Sequence, residues 1–287
     1  MAAGDSGNFA GGLLEVIESE AIIKFSEANV TMPLVTLKGE PKADQITFIA
    51  YNSGSNVLTS ADVAATAEGT VTPSTQLDTE KKTATLDMYS VMAPMYDEAR
   101  LSNADDIAAN TGALIGNSLS SKADALLNAL FDGFSNAVGT NTAALSVDDL
   151  FSALSSLKQN SAIGQPNAVL DPRQIWGQYG VHNDLVTAAQ FAGAGVQDEG
   201  ARTGFVSQIA GINMHSSPEF TVASNAVKGG VFVPGALGMG YAGEMLRVEI
   251  YREGNYLRDN IIGSGFWGVT EIIDGWGVEV HTRVTTP

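Results

Sequence analysis

Residues 103–138 carry the pattern that most limits what this chain can become. Ile107, Leu114, Ile115, Leu119, Ala123, Leu126, Leu127, Leu130, Phe131 and Phe134 recur at helical spacing. About thirty residues of helix make a rod of roughly 45 Å. Ser102 or Asn103 can cap its start, and Asp105 and Asp106 face the positive end of the helix dipole. Gly112 and Gly116 each cost about 1 kcal/mol relative to alanine in a helix interior. They are expected to permit a bend there.

Upstream of the rod, residues 1–35 read as an arm. Leu13, Leu14, Val16, Ile17, Ala21, Ile22 and Phe25 support a short amphipathic helix, and Pro33 ends it. Little nearby sequence is available to cover this segment, so a neighbouring molecule is expected to. Ile46, Phe48 and Ala50 then alternate with polar residues, as in a strand. Residues 52–76 are rich in Ser, Thr, Ala and Gly. Alternation returns through Thr83, Thr85, Asp87, Tyr89 and Val91. Two strands around so long a polar tip predict an extended β-hairpin projecting onto another molecule.

Downstream, Ser146 caps a second helix with an apolar face of Val147, Leu150, Phe151, Leu154 and Leu157. A short strand at Ala168–Leu170 leads to Asp171-Pro172, a helix start with Pro at the first position. That helix is expected to run from Arg173 through Trp176 and Tyr179. Residues 190–204 are Gly-rich and are expected to be a loop. From about residue 205 the pattern is strands and turns: Ile212–Met214, Val231–Val233, Leu246–Tyr251 and Trp267–Val280. The fold class is mixed α+β.

The net charge of -17, from 32 acidic and 15 basic residues, excludes a chain built to grip phosphates. No cysteine is present, so thiolate chemistry and Cys-ligated metal are excluded. No secretory signal precedes the arm, and no stretch reaches the roughly 20 apolar residues of a membrane span.

No catalytic constellation emerges, and the catalytic, cofactor and metal assignments are all none. His182, His215 and His281 lie far apart, without metal-ligand spacing. Gly235, Gly238 and Gly240 lack the dinucleotide-binding spacing and read as a turn between strands. Gly263-Ser264-Gly265 is not a nucleophile elbow, and Ser264 reads as turn chemistry. The pairs Asp105/Asp106 and Asp148/Asp149 sit at helix starts, where capping explains them. Trp176, Trp267 and Trp276 read as core or interface anchors.

The order of these features resembles the tailed-bacteriophage major capsid protein family, with its HK-97-like fold. Three stretches carry the likeness: Val169–Gln174, where a strand runs into a Pro-started helix; Ile209–Ser216; and Arg247–Arg252 with Asn260 and Trp267–Val280. The resemblance implies an N-terminal arm (1–35), an extended hairpin or E-loop (36–95), and a P-domain with a long spine helix (96–160). An A-domain (161–262) and a β-strand return to the P-domain (263–287) follow. It also implies a non-enzymatic protein that assembles with itself as hexamers and pentamers into an icosahedral shell around double-stranded DNA. Separate scaffolding, portal and decoration proteins are the further partners, the location is the virion, and assembly takes place in the host cytoplasm. With only about 35 residues before the hairpin, no fused scaffold is expected. Some relatives cross-link through a hairpin lysine, but residues 52–76 hold none, and Lys81 and Lys82 sit on the returning strand. That chemistry is not carried over. One rival is an encapsulin, a shell of the same fold around a cargo enzyme. Others are a soluble hydrolase and an acidic surface adhesin.

Overall fold

The computed structural model describes residues 6–50, 80–98, 107–184, 208–209 and 211–285, with the single positions 63, 65, 68 and 71. The chain begins with α1 (Ser6–Ala28), β1 (Thr36–Glu40), β2 (Gln45–Ala50), β3 (Glu80–Thr85), β4 (Asp87–Tyr96) and α2 (Ile107–Ala129). Then come β5 (Ala137–Gly139), α3 (Val147–Gln159), β6 (Asn167–Leu170), α4 (Pro172–Trp176), β7 (Gln208–Ile209) and β8 (Ile212–Ser216). It ends with β9 (Ala226–Phe232), β10 (Leu237–Ala242), β11 (Arg247–Glu253), β12 (Arg258–Glu271) and β13 (Gly277–Arg283). The class is mixed α+β, as expected.

Three sheets organise these strands. In the five-stranded sheet, the long β12 pairs antiparallel with β10 and β11 along one edge and with β4 along the other, and β1 adds parallel to β10. The six-stranded sheet runs β5-β13-β9-β6-β8-β7, and β2 and β3 form a separate two-stranded ribbon. Each sheet has its own apolar cluster. The largest buries Ile17, Phe25, Ile115, Leu119, Ile261 and Trp267 between α1, α2 and the five-stranded sheet. A second packs Leu150, Ala153 and Leu157 of α3 on Ala168, Val231 and Val280 of the six-stranded sheet.

One face of the arm is covered by its own chain, so on that face the expectation that a neighbour must cover it is corrected. Ile17, Ala21 and Phe25 are buried at i, i+4 and i+8. Gly112 and Gly116 face them. A Cβ on Gly112 would sit 2.5 Å from the Ile17 carbonyl oxygen, and one on Gly116 would overlap the Ala21 carbonyl. Both contacts advance together along the chain, so α1 and α2 run parallel. The glycines bring two backbones together, rather than marking a bend in α2. The same row of α2 continues through buried Ser120 to Asp124. Asp124 accepts the backbone N–H groups of Val30 at 2.8 Å and Thr31 at 3.0 Å, just past the end of α1. Thr31 donates to Asn128, and Asn128 donates to Ser217 and to the Glu219 carbonyl. Arm, long helix and the β8–β9 connection thus share one buried polar chain.

Several boundaries differ from the sequence expectation. Described α2 gives way after Ala129 to a tighter turn, Leu130–Gly133, so helix does not continue to 138. Leu114 points outward, 66% exposed. The hairpin ribbon is narrower than 36–95. β1 leaves for β10, and the strand through 83–91 breaks at Leu86, whose N–H donates to Asp44. β4 then turns away to β12. α3 and β13 both pack with β9 and β5 around the six-stranded sheet. Trp267–Val280 is two strands in different sheets, parted by the turn Asp274–Trp276.

Ser146 and Asp171 cap their helices as read. Each forms a reciprocal capping box, with Asp149 and Gln174 respectively. The second of these helices stops at Trp176, short of Tyr179, with Gly177 as its C-cap. Ser102, Asn103, Asp105, Asp106, residues 190–204 and the hairpin tip, apart from positions 63, 65, 68 and 71, lie outside the described residues.

Candidate assembly surfaces

β4 alternates along its length. Tyr89, Val91, Ala93 and Met95 point into the core under α1 and α2. The opposite set points to solvent: Met88 is 72%, Met92 54% and Tyr96 49% exposed. Antiparallel pairing sets Met88 beside Phe266, Met92 beside Ile262 and Tyr96 beside Arg258. On the next strand Tyr251, paired with Asn260, is also exposed. An antiparallel sheet with one face on the core normally turns polar residues to water. This outer face is mixed: Met88, Met92, Tyr96, Tyr251 and Ile262 stand among Ser90, Ser264, Asn260, Arg258 and an Arg247–Glu249 pair. Methionine fills irregular contacts readily, and tyrosine is enriched where protein surfaces meet.

The β2–β3 ribbon stands beside this face. Ile46, Phe48, Ala50 and Ala84 pack with Leu86 and Ile272, and half-buried Phe266 joins them. Gly238 and Gly240 admit Phe48 and Ile46, whose atoms lie 2.9 Å from where a Cβ would stand. These glycines therefore lie in strand β10, not in a turn. The outer ribbon face carries Thr47, Thr83 and a half-exposed Ile49. Lys82 pairs with Glu80 at 2.7 Å, and that hydrogen bond raises its pKa. Burial pushes the Glu271 carboxyl up, and the charge of Asp274 adds to the effect.

The arm presents Val16, Ile22 and Ile23 on its outer side, each between 41% and 47% exposed. A groove of about 470 Å³ lies between the end of α2 and Pro218–Ala223, reached by Asn128, Asp132, Glu219 and Lys228. Lys228 is held by Asp132 and, at 2.8 Å, by Glu279.

The residues weighed for chemistry stay dispersed. His182 approaches the Ile175 carbonyl, His281 approaches Asn141, and burial pushes the His215 imidazole down. Among the described residues, no group of three His, Cys, Asp or Glu could hold a metal ion. No described helix is long and apolar enough to cross a membrane. Ser264 is a strand residue between Arg247 and Ser90, which corrects its reading as turn chemistry. Trp267 is fully buried and stacks with Tyr89, Trp276 covers Gly235, and Trp176 is 43% exposed. Sequence reasoning missed the outer sheet face. Its signal was there in Met88 and Met92, which were assigned to the hairpin, and in Tyr96 just beyond it.

No protein-family model matches the sequence, and no curated protein matches it. Solved structures do match in three dimensions. The capsid of cyanophage P-SCSP1u superposes with a TM-score of 0.66 at 17% identity, covering 90% of this chain and 89% of that one. The capsid of Ralstonia phage GP4 gives 0.65 at 12% identity, covering 88% of each chain. The SrpI encapsulin of Synechococcus elongatus gives 0.57 at 12% identity, covering 89% of each. The fold is therefore the one these shells are built from, the HK-97-like fold that the sequence resembled.

Proposed function

We propose that this chain is the major capsid protein of a tailed phage, self-assembling as hexamers and pentamers into an icosahedral shell around double-stranded DNA. The observation that carries this is the fold, which matched chains share over nearly their whole length, with exposed Met88, Met92, Tyr96 and Tyr251 on the outer face of its five-stranded sheet. On this reading α1 is the N-arm, β2–β3 the stem of the E-loop, and α2 the spine helix. The five-stranded sheet is the P-domain sheet, and the six-stranded sheet centres the A-domain. The E-loop of one subunit reaches across to its neighbour. An excess of 17 negative charges suits a container that holds DNA without adhering to it. No catalytic residue is assigned. The shell belongs to the virion and assembles in the host cytoplasm, with separate scaffolding, portal and decoration proteins.

A second reading, an encapsulin-type compartment around a cargo enzyme, is supported by the SrpI likeness. The contents of particles from the native source separate the two. Nuclease-protected double-stranded DNA is expected. Particles filled with a co-purifying enzyme and free of DNA would favour the compartment.

A further inference from the structure

β4 carries three of the chain's eight methionines, and its pleat sorts them. Met95 points inward with Tyr89, Val91 and Ala93 and is 4% exposed. Met88 and Met92 point the other way, 72% and 54% exposed. The remaining described methionines are sheltered. Met214 and Met239 are buried, and Met32 and Met245 pack against the largest apolar cluster. Cysteine is absent, so thioethers are the only sulfur in the chain. Peroxide oxidises the thioethers it can reach. Exposure and chemistry together select Met88 and Met92.

The change at each sulfur is large for its size. The sulfur takes one oxygen atom from hydrogen peroxide: an S–O bond forms, the O–O bond breaks and the sulfur loses two electrons. The proton of the transferred oxygen passes to the departing hydroxide, which leaves as water. A flexible apolar side chain becomes a polar one. Facing water, the new oxygen costs the folded subunit nothing. Stripped of water against another surface, it needs a hydrogen bond. The strand neighbours of the two methionines, Phe266 and Ile262, offer none from their side chains. The two sulfurs lie four residues apart on one face, roughly 13 Å at about 3.3 Å per residue. A single contact of standard size, about 800 Å² per partner, would cover both.

We propose that Met88 and Met92 form a paired oxidation site through which peroxide reversibly blocks association of the subunit. The block rests on the shell reading, since it needs the outer face of β4 to be covered on assembly. The selectivity of the oxidation does not. Methionine sulfoxide reductases, one for each epimer of the sulfoxide, supply the return step. A shell repeats each contact many times, so a loss at one face recurs at every subunit.

The test treats the folded subunit briefly with hydrogen peroxide and maps the added oxygen by peptide mass spectrometry. Met88 and Met92 should be oxidised, while Met95, Met214 and Met239 stay reduced. The treated subunit should melt where the untreated one does, because both side chains are exposed. It should need roughly tenfold more protein to assemble, the scale of one polar group buried without a partner. The two reductases should restore assembly. Leucine fills the space of methionine without an oxidisable sulfur. A Met88→Leu/Met92→Leu variant should therefore assemble at the parent's threshold before and after peroxide. It keeps every other methionine, so damage at any of those would show in it too. Shells treated after assembly should keep both sulfurs reduced. Oxygen spread evenly over buried and exposed methionines overturns the site. Unchanged assembly of the treated parent, equal loss in the double leucine variant, or ready oxidation in intact shells overturns the block and leaves the shell reading standing. A parent that never assembles, treated or not, overturns the block together with the shell reading.

Discussion

At Gly116 a missing side chain is what lets α1 reach α2. In an exposed helix, Gly→Ala gains about 1 kcal/mol. Here the added carbon would meet the Ala21 backbone, which cannot swing aside. Gly116→Ala should therefore cost about 2 kcal/mol, the scale of overpacking. Urea melts would show the loss, and limited proteolysis should cut the arm sooner. Asp124 is the second decisive residue. Asp124→Ala leaves the N–H groups of Val30 and Thr31 buried without an acceptor, at about 1–3 kcal/mol each. Asp124→Asn keeps one acceptor oxygen and should lose less. Burial raises the Asp124 pKa despite the backbone donors. The folded state thus binds this proton more tightly than the unfolded chain. Wild type should gain stability over Asp124→Asn as pH falls from the raised value toward the ordinary value of about 3.9. Thermal melts of both proteins across that range check the sign. Both glycines were visible in the sequence as a row of small residues four apart. They were read as a bend because nothing in a sequence says that another helix lies against that row.

Among elements, the legible ones were those with a local cause. The period of α2 and the N-caps Ser146 and Asp171 need only their own neighbourhood, and they are found where expected. The strand break at Leu86 was not legible. Alternation runs through it without a glycine or proline, and only the distant edge of β12 decides where β4 goes. The same misassignment hid the outer sheet face, since a strand taken for a hairpin arm has no second face to explain. That face yields a prediction at this scale. Met88→Lys with Met92→Lys changes only exposed side chains, so melting should shift by less than about 0.5 kcal/mol equivalent. Assembly should fail, as scored by light scattering and circular dichroism on the same sample. Shells of normal yield would show that the face is not an interface. Deleting residues 56–72 should likewise leave a soluble subunit that does not close shells.

For the whole molecule, charge and fold argue together. The composition only permitted a container, and the dispersed histidines offered no site to argue from. The order of arm, ribbon, long helix and late strands pointed to the fold, and the solved capsids share it at 17% identity or less in those compared. At such identity, packing geometry persists where residue identities do not, so the likeness shows in three dimensions and not in family models of sequence. Electron micrographs of the purified protein test the central claim most directly. Uniform isometric particles are the predicted result, and a field of dispersed monomers would contradict it.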